Sequence, residues 1–195
     1  MTKDRKKQTQ IVVLGAVFTA LVIILQFMGA FIRFGMFSIS LVLIPIVIGA
    51  ATCGVGVGTW LGFIFGVVVL ASGDASTFLG IDVFGTLVTV LLKGIACGFA
   101  AGVVYKALSR FNRYLAVMAA AVVCPIVNTG VFLLGCRAFF FNAVASWGVA
   151  EGFESTLKYM ILVLVGGNFL FEMASNIILS PVAVRILDIS KKIES

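Results

Sequence analysis

Apolar residues in this chain fall in long unbroken runs, without the alternation of a strand or the single stripe of a soluble helix. Residues 11–31 form the first run, ending before Arg33. No charged residue occurs from Phe34 to Gly73, a stretch long enough for two short helices. Gly54-Val55-Gly56-Val57-Gly58 marks the hairpin between them. Asp74 and Asp82 bracket a loop rich in Ser, Gly and Thr, and a fourth run over 83–105 is interrupted by Lys93. Lys106, Arg110, Asn112 and Arg113 form a polar turn. A fifth run extends from Tyr114 to about Phe141, and a sixth from Lys158 to Val184. A bilayer core takes about 20 apolar residues per helix. The pattern therefore predicts an all-α, polytopic integral membrane protein with six transmembrane helices, at about 11–31, 39–52, 54–71, 83–105, 114–141 and 158–184. A basic tail, 1–10, precedes this membrane domain of 11–185, and a second tail, 186–195, follows it.

Composition agrees with that reading. Of 195 residues, 62% are hydrophobic and 11% charged, against about 45–50% and 25% in soluble domains. That apolar excess has to face lipid. Charge then sets the orientation. Six spans put Lys3, Arg5, Lys6 and Lys7, the Lys106–Arg113 turn, and Arg185, Lys191 and Lys192 on one face. The other face keeps Arg33, Arg137 and Lys158 against four acidic residues. Both termini are predicted to be cytoplasmic. The net charge of +6 is thus a topology signal, and no nucleic-acid partner is expected. The first run is too long for a signal peptide and lacks a small-residue cleavage site. Histidine is absent, and Cys53, Cys97, Cys124 and Cys136 form no C-x-x-C pair, so no metal or cofactor is expected. Without a phosphate-binding loop in the chain, energy for any uphill transport would come from another polypeptide.

Some residues sit poorly in lipid. Lys93, Asn128 and Glu172 lie near the middles of the last three runs, hence at one depth. An ionisable group there costs about 2.5–3.5 kcal/mol or more unless paired or hydrated. Asn168, Glu172 and Asn176 recur at four-residue spacing, on one stripe. Two readings stand side by side: a Lys93–Glu172 ion pair with asparagines gluing helices together, or a chamber for a small molecule. Pro125 removes a backbone hydrogen bond one turn before Asn128 and so frees a carbonyl near that chamber. Gly54, Gly58, Gly62 and Gly66 form a stripe suited to close helix packing. Ala16 and Ala20 form a small-xxx-small pair that serves either packing within the chain or docking of a separate membrane subunit.

Several segments together resemble the substrate-binding S components of energy-coupling factor transporters. They are Ala16-Val17-Phe18-Thr19-Ala20, the run Leu41 to Ala50, Pro125-Ile126-Val127-Asn128-Thr129-Gly130, and Asn168 to Pro181. The resemblance spans almost the whole chain. It implies a non-enzymatic subunit of a bacterial plasma-membrane importer, which captures a water-soluble vitamin from outside. Delivery would go through a transmembrane coupling subunit driven by two cytoplasmic ATPases, and the alanine motif would place the coupling contact on Ala16 and Ala20. The family's site lies under loops that match 32–38, 72–82 and 142–156 here. This makes Asp74, Asp82 and Trp147 candidate lid or contact residues over a floor of Lys93, Asn128, Asn168 and Glu172, with Asn176 further along the stripe. The lack of histidine disfavours the nickel and cobalt members. The second helix departs from the aspartate-containing pattern of riboflavin members. The inventory fits pantothenate first, its carboxylate on Lys93, and riboflavin second. The competing classes are a lipid-acting membrane enzyme using Asp74 and Asp82, and a stand-alone carrier or channel using Lys93 and Glu172 as a relay.

Overall fold

The computed structural model describes residues 3–30, 33–34, 37–38 and 41–194. Six apolar helical segments carry the architecture: α1 (Lys3–Ala30), α2 (Leu43–Cys53), α3 (Val55–Ala71), α5 (Val83–Leu108), α6 (Arg113–Phe139) and α9 (Gly166–Glu194). Short helices α4 (Ser76–Leu79), α7 (Phe141–Ala150) and α8 (Thr156–Tyr159) sit in the connections. Two strands of two residues each, β1 (Arg33–Phe34) and β2 (Phe37–Ser38), pair antiparallel between α1 and α2. This hairpin is the one departure from an all-helical chain among the described residues. Otherwise the expected 32–38 loop lies outside them.

Packing fixes the direction of each helix. Gly15 of α1 packs against Val57 at the start of α3, and Gln26 bonds Asp74 just past its end, so α1 and α3 run parallel. Pairing of Gly58 with Gly98 and of Gly62 with Gly94 makes α5 antiparallel to α3. Gly135 against Thr89 and Gly85 against Phe139 reverse α6 again. Asn128 against Glu172, with Ala121 beside Asn176 and Ser180, reverses α9. The start of α1, the α5–α6 turn and the end of α9 therefore gather at one end of the bundle. The connections that hold α4, α7 and α8 gather at the other.

Local chemistry explains the boundaries. Gly54 joins α2 to α3 at φ +96°, a conformation open to glycine at little cost. Asn112 caps α6 by accepting from the Tyr114 and Leu115 amides at 2.8 and 3.3 Å. The glycine stripe narrows to Gly58, Gly62 and Gly66, since Gly54 is consumed by the turn. Its partner is a second stripe on α5. A Cβ on Gly62 would fall on the Gly94 carbonyl, and one on Gly94 would fall on the Gly62 carbonyl. The two backbones touch directly there.

Helix lengths revise the expected spans. Three helices, Gln8–Gly29, Val83–Leu108 and Arg113–Phe139, are long and apolar enough to cross a membrane. Thr156–Leu164 with Gly166–Val182 makes a fourth if the 43° bend between them belongs to one crossing. The span expected over 39–52 is an 11-residue helix, roughly 16 Å long and too short to cross alone. Helix α3 has 17 residues. The span expected over 158–184 is broken, because Met160–Leu164 winds as a π-turn before Gly166 and Gly167. A π-turn followed by glycines is a recognised cause of such a kink. The tails expected at 1–10 and 186–195 are also largely helical, as the outer turns of α1 and α9.

Two apolar clusters fill the bundle. The larger joins α1, α2, α3, α5 and α6 through residues such as Val22, Ile46, Leu61, Phe65, Cys97 and Val117. The smaller is a cap of Phe78, Phe132, Phe140, Val144, Tyr159 and Leu164 at the end holding the long connections. All four cysteines are free, and three of them are buried.

Candidate functional site

Between the two clusters lies a small cavity walled by five elements. Gln26 comes from α1, Phe65 from α3, Lys93 from α5, Phe132 from α6, and Asn168 and Glu172 from α9. Asp74 and Phe78, from the connection after α3, close it on the capped side. The cavity holds about 50 Å³, room for one or two waters, whereas small-molecule sites usually hold about 300–1,000 Å³. Its polar groups face inward, away from the lipid-facing perimeter.

Glu172 is 2% exposed. Asn168 Nδ2 donates to its Oε1 at 3.0 Å, and Asn128 Nδ2 approaches its Oε2 at 3.5 Å. Lys93 does not share this carboxylate. Its Nζ stands 5.5 Å from the Phe65 ring centroid and 5.3 Å from that of Phe132, within cation–π reach of both. Among the described residues no hydrogen bond or contact ion pair joins Lys93 to Glu172, and the two charges act on each other through space instead. Gln26 Nε2 donates to Asp74 Oδ2, which ties α1 to the lid connection. Gln26 Oε1, Asn128 Oδ1 and Asn168 Oδ1 are buried with no hydrogen-bond partner among the described residues.

The structure thus brings Lys93, Asn168, Glu172 and Asp74 around one space, with Asn128 behind Glu172. Asn176 is elsewhere. It is 3% exposed and lines a separate crevice with Ile44, Val47, Ala121 and Ser180. Four-residue spacing placed it on the right stripe, but eight residues past Asn168 is roughly 12 Å further along the axis. Pro125 is likewise displaced from its expected effect. The carbonyl it deprives of a donor belongs to Ala121, which lines that second crevice. Asp82 stands at the N-cap position of α5, outside the cavity wall. Trp147 packs edge-on to Phe78 at 5.9 Å, behind the lining. Gln26 and the aromatic walls went unnoticed in the sequence. For Gln26 the signal was there, a lone amide near the end of the first apolar run.

Ala16 and Ala20 are exposed on α1. They border a groove of about 580 Å³ that runs between α1 and α3, past Gly15, Gly56, Val57 and Trp60. Trp60 Nε1 donates to Thr19 Oγ1 across it at 3.3 Å.

Polar side chains gathered among apolar helices, three of them long enough to cross a membrane, define a class: a membrane protein with a candidate site in its interior. The model of the family "ECF transporter, substrate-specific component" matches residues 10–184. The chain belongs to that family, whose members are substrate-binding subunits of membrane transporters, vitamin transporters among them, and not enzymes. No curated protein and no solved structure matches the chain significantly.

Proposed function

We propose that this protein captures a small, water-soluble, anionic vitamin, of which pantothenate is the first candidate, in the chamber around Lys93. The observation that carries this reading is the ammonium group itself. It lies in the cavity wall over two phenyl rings, with no contact ion pair among the described residues and with Glu172 and Asp74 acting on it only through space. A substrate carboxylate would complete it with a charge-assisted hydrogen bond. Amide and hydroxyl groups of the substrate would meet Asn168 and Glu172, and its carbon frame would lie on Phe65, Phe78 and Phe132. Riboflavin stands second, because those rings would stack on a flat neutral ligand equally well. Capture requires expansion of the contracted cavity, and the cap formed by α4, α7 and α8 is the part whose lifting would supply it.

In the same reading both termini face the cytoplasm of a bacterial cell, and the chamber opens outward beneath the cap. The exposed Ala16 and Ala20 and the groove beside them receive the transmembrane coupling subunit, which two ATPases drive. The gathering of the basic chain ends and the Lys106–Arg113 turn at one end of the bundle supports this orientation. Reconstitution tests it. The full chain in proteoliposomes should bind radiolabelled pantothenate without ATP, but accumulate it only when the coupling subunit and ATPases are added. Accumulation by the chain alone would establish a stand-alone carrier instead.

A further inference from the structure

Two amide oxygens in the chamber have no hydrogen-bond partner among the described residues. Gln26 is 2% exposed, and its Nε2 donates to Asp74 while its Oε1 is buried and unpaired. A carboxylate oxygen that accepts there takes the nitrogen end of the Gln26 amide and leaves the oxygen over. Asn168 repeats the arrangement: Nδ2 is held by Glu172 and Oδ1 is unpaired. Both residues line the same cavity, from α1 and from α9, with Lys93 on a third wall. Unpaired buried acceptors are rare in folded chains, and each calls for an explanation. A bound molecule that brings donors supplies it.

We infer that the substrate carries, beside an anionic group for Lys93, at least two O–H or N–H donors, and that Gln26 is a specificity-determining residue that reads one of them. The inference rests on the vitamin-capture reading and narrows it. Asp74 acts as a positioning residue, because its carboxylate turns the Gln26 oxygen toward the substrate. An anion of similar size without donors would leave both oxygens dry and unpaired. Sites built on such groups reject that kind of ligand strongly.

The test uses the full chain in lipid nanodiscs, titrated calorimetrically with pantothenate, biotin, riboflavin and lipoate. Pantothenate and biotin combine a carboxylate with two or more donors, riboflavin has donors without a carboxylate, and lipoate has a carboxylate without further donors. The wild type is expected to bind pantothenate or biotin at least about tenfold more tightly than lipoate. Gln26→Met keeps the length of the side chain and removes the acceptor. It should weaken the donor-bearing ligand by about tenfold while leaving any lipoate binding unreduced. Wild-type affinity in Gln26→Met overturns the inference. If that variant does not fold, the wild-type comparison decides alone. Binding of riboflavin only, or of lipoate at equal strength, overturns the inference and leaves vitamin capture standing. Failure of the folded wild type to bind any of the four overturns the pantothenate and riboflavin readings, and the inference with them.

Discussion

Replacing Lys93 by methionine separates a ligand contact from a structural one. The ammonium has two phenyl rings near it and no contact ion pair among the described residues. If it serves a substrate carboxylate, its removal costs a charge-assisted hydrogen bond, about 1.5–3 kcal/mol. That corresponds to roughly 10- to 150-fold in Kd. The effect on folding is smaller, because two changes oppose each other. Lost cation–π contacts cost about 0.5–2 kcal/mol. Against this, a thioether regains about 0.3–1.5 kcal/mol on the same rings and no longer needs desolvation of a charge. The net change should stay within about 1 kcal/mol, or about 2–4 °C in the unfolding midpoint for a chain of this size. Calorimetric titration with pantothenate and thermal unfolding in nanodiscs read the two numbers separately. The reverse result, a midpoint lowered by about 10 °C or more with affinity intact in the folded fraction, would refute the reasoning. It would make Lys93 a structural residue.

Other substitutions probe separate parts of the molecule. Gly62→Ala drives a methyl into the Gly94 carbonyl, and because backbone cannot rotate away it should cost about 3 kcal/mol, the upper end for overpacking. An unchanged unfolding midpoint would show that α3 and α5 are not locked. Asn176→Leu removes a buried donor that has no partner and lies outside the chamber. Vitamin affinity should be unchanged and stability equal or slightly higher, whereas lost affinity would return Asn176 to the site. Ala16→Trp fills the groove between α1 and α3, so co-purification with the coupling subunit should fail while vitamin binding persists. Retained co-purification would move the docking face elsewhere.

Much of this arrangement was legible in the sequence, and the misses have physical causes. The apolar runs end within a few residues of the ends of α3, α5 and α6, whereas α1 begins at Lys3, inside the charged tail, because charge at a membrane surface does not stop a helix. The fragmentation at Met160–Leu164 was hidden because a π-turn changes backbone bonding without interrupting the apolar run. Gly166 and Gly167 were its only trace. The partner stripe on α5 was missed because Gly94 and Gly98 have meaning only once α3 lies against them. Lys93, Asn128, Asn168 and Glu172 stood out because hydrophilic side chains are costly in lipid. The same argument applied to Gln26, yet one amide among so many apolar neighbours gave no pattern until Asp74 was placed beside it. Asn176 lines a different crevice from the rest of its stripe, for periodicity reports the face of a helix and says nothing of depth.

The central claim is that the cavity between α1, α5 and α9 is a receptor site for a small water-soluble molecule. Native mass spectrometry of the full chain, released from membranes of cells grown in rich medium, tests this most directly. One bound, carboxylate-bearing vitamin per chain is expected, lost in a Lys93→Met variant that still folds. A chain that carries only lipid, in wild type and variant alike, would contradict it.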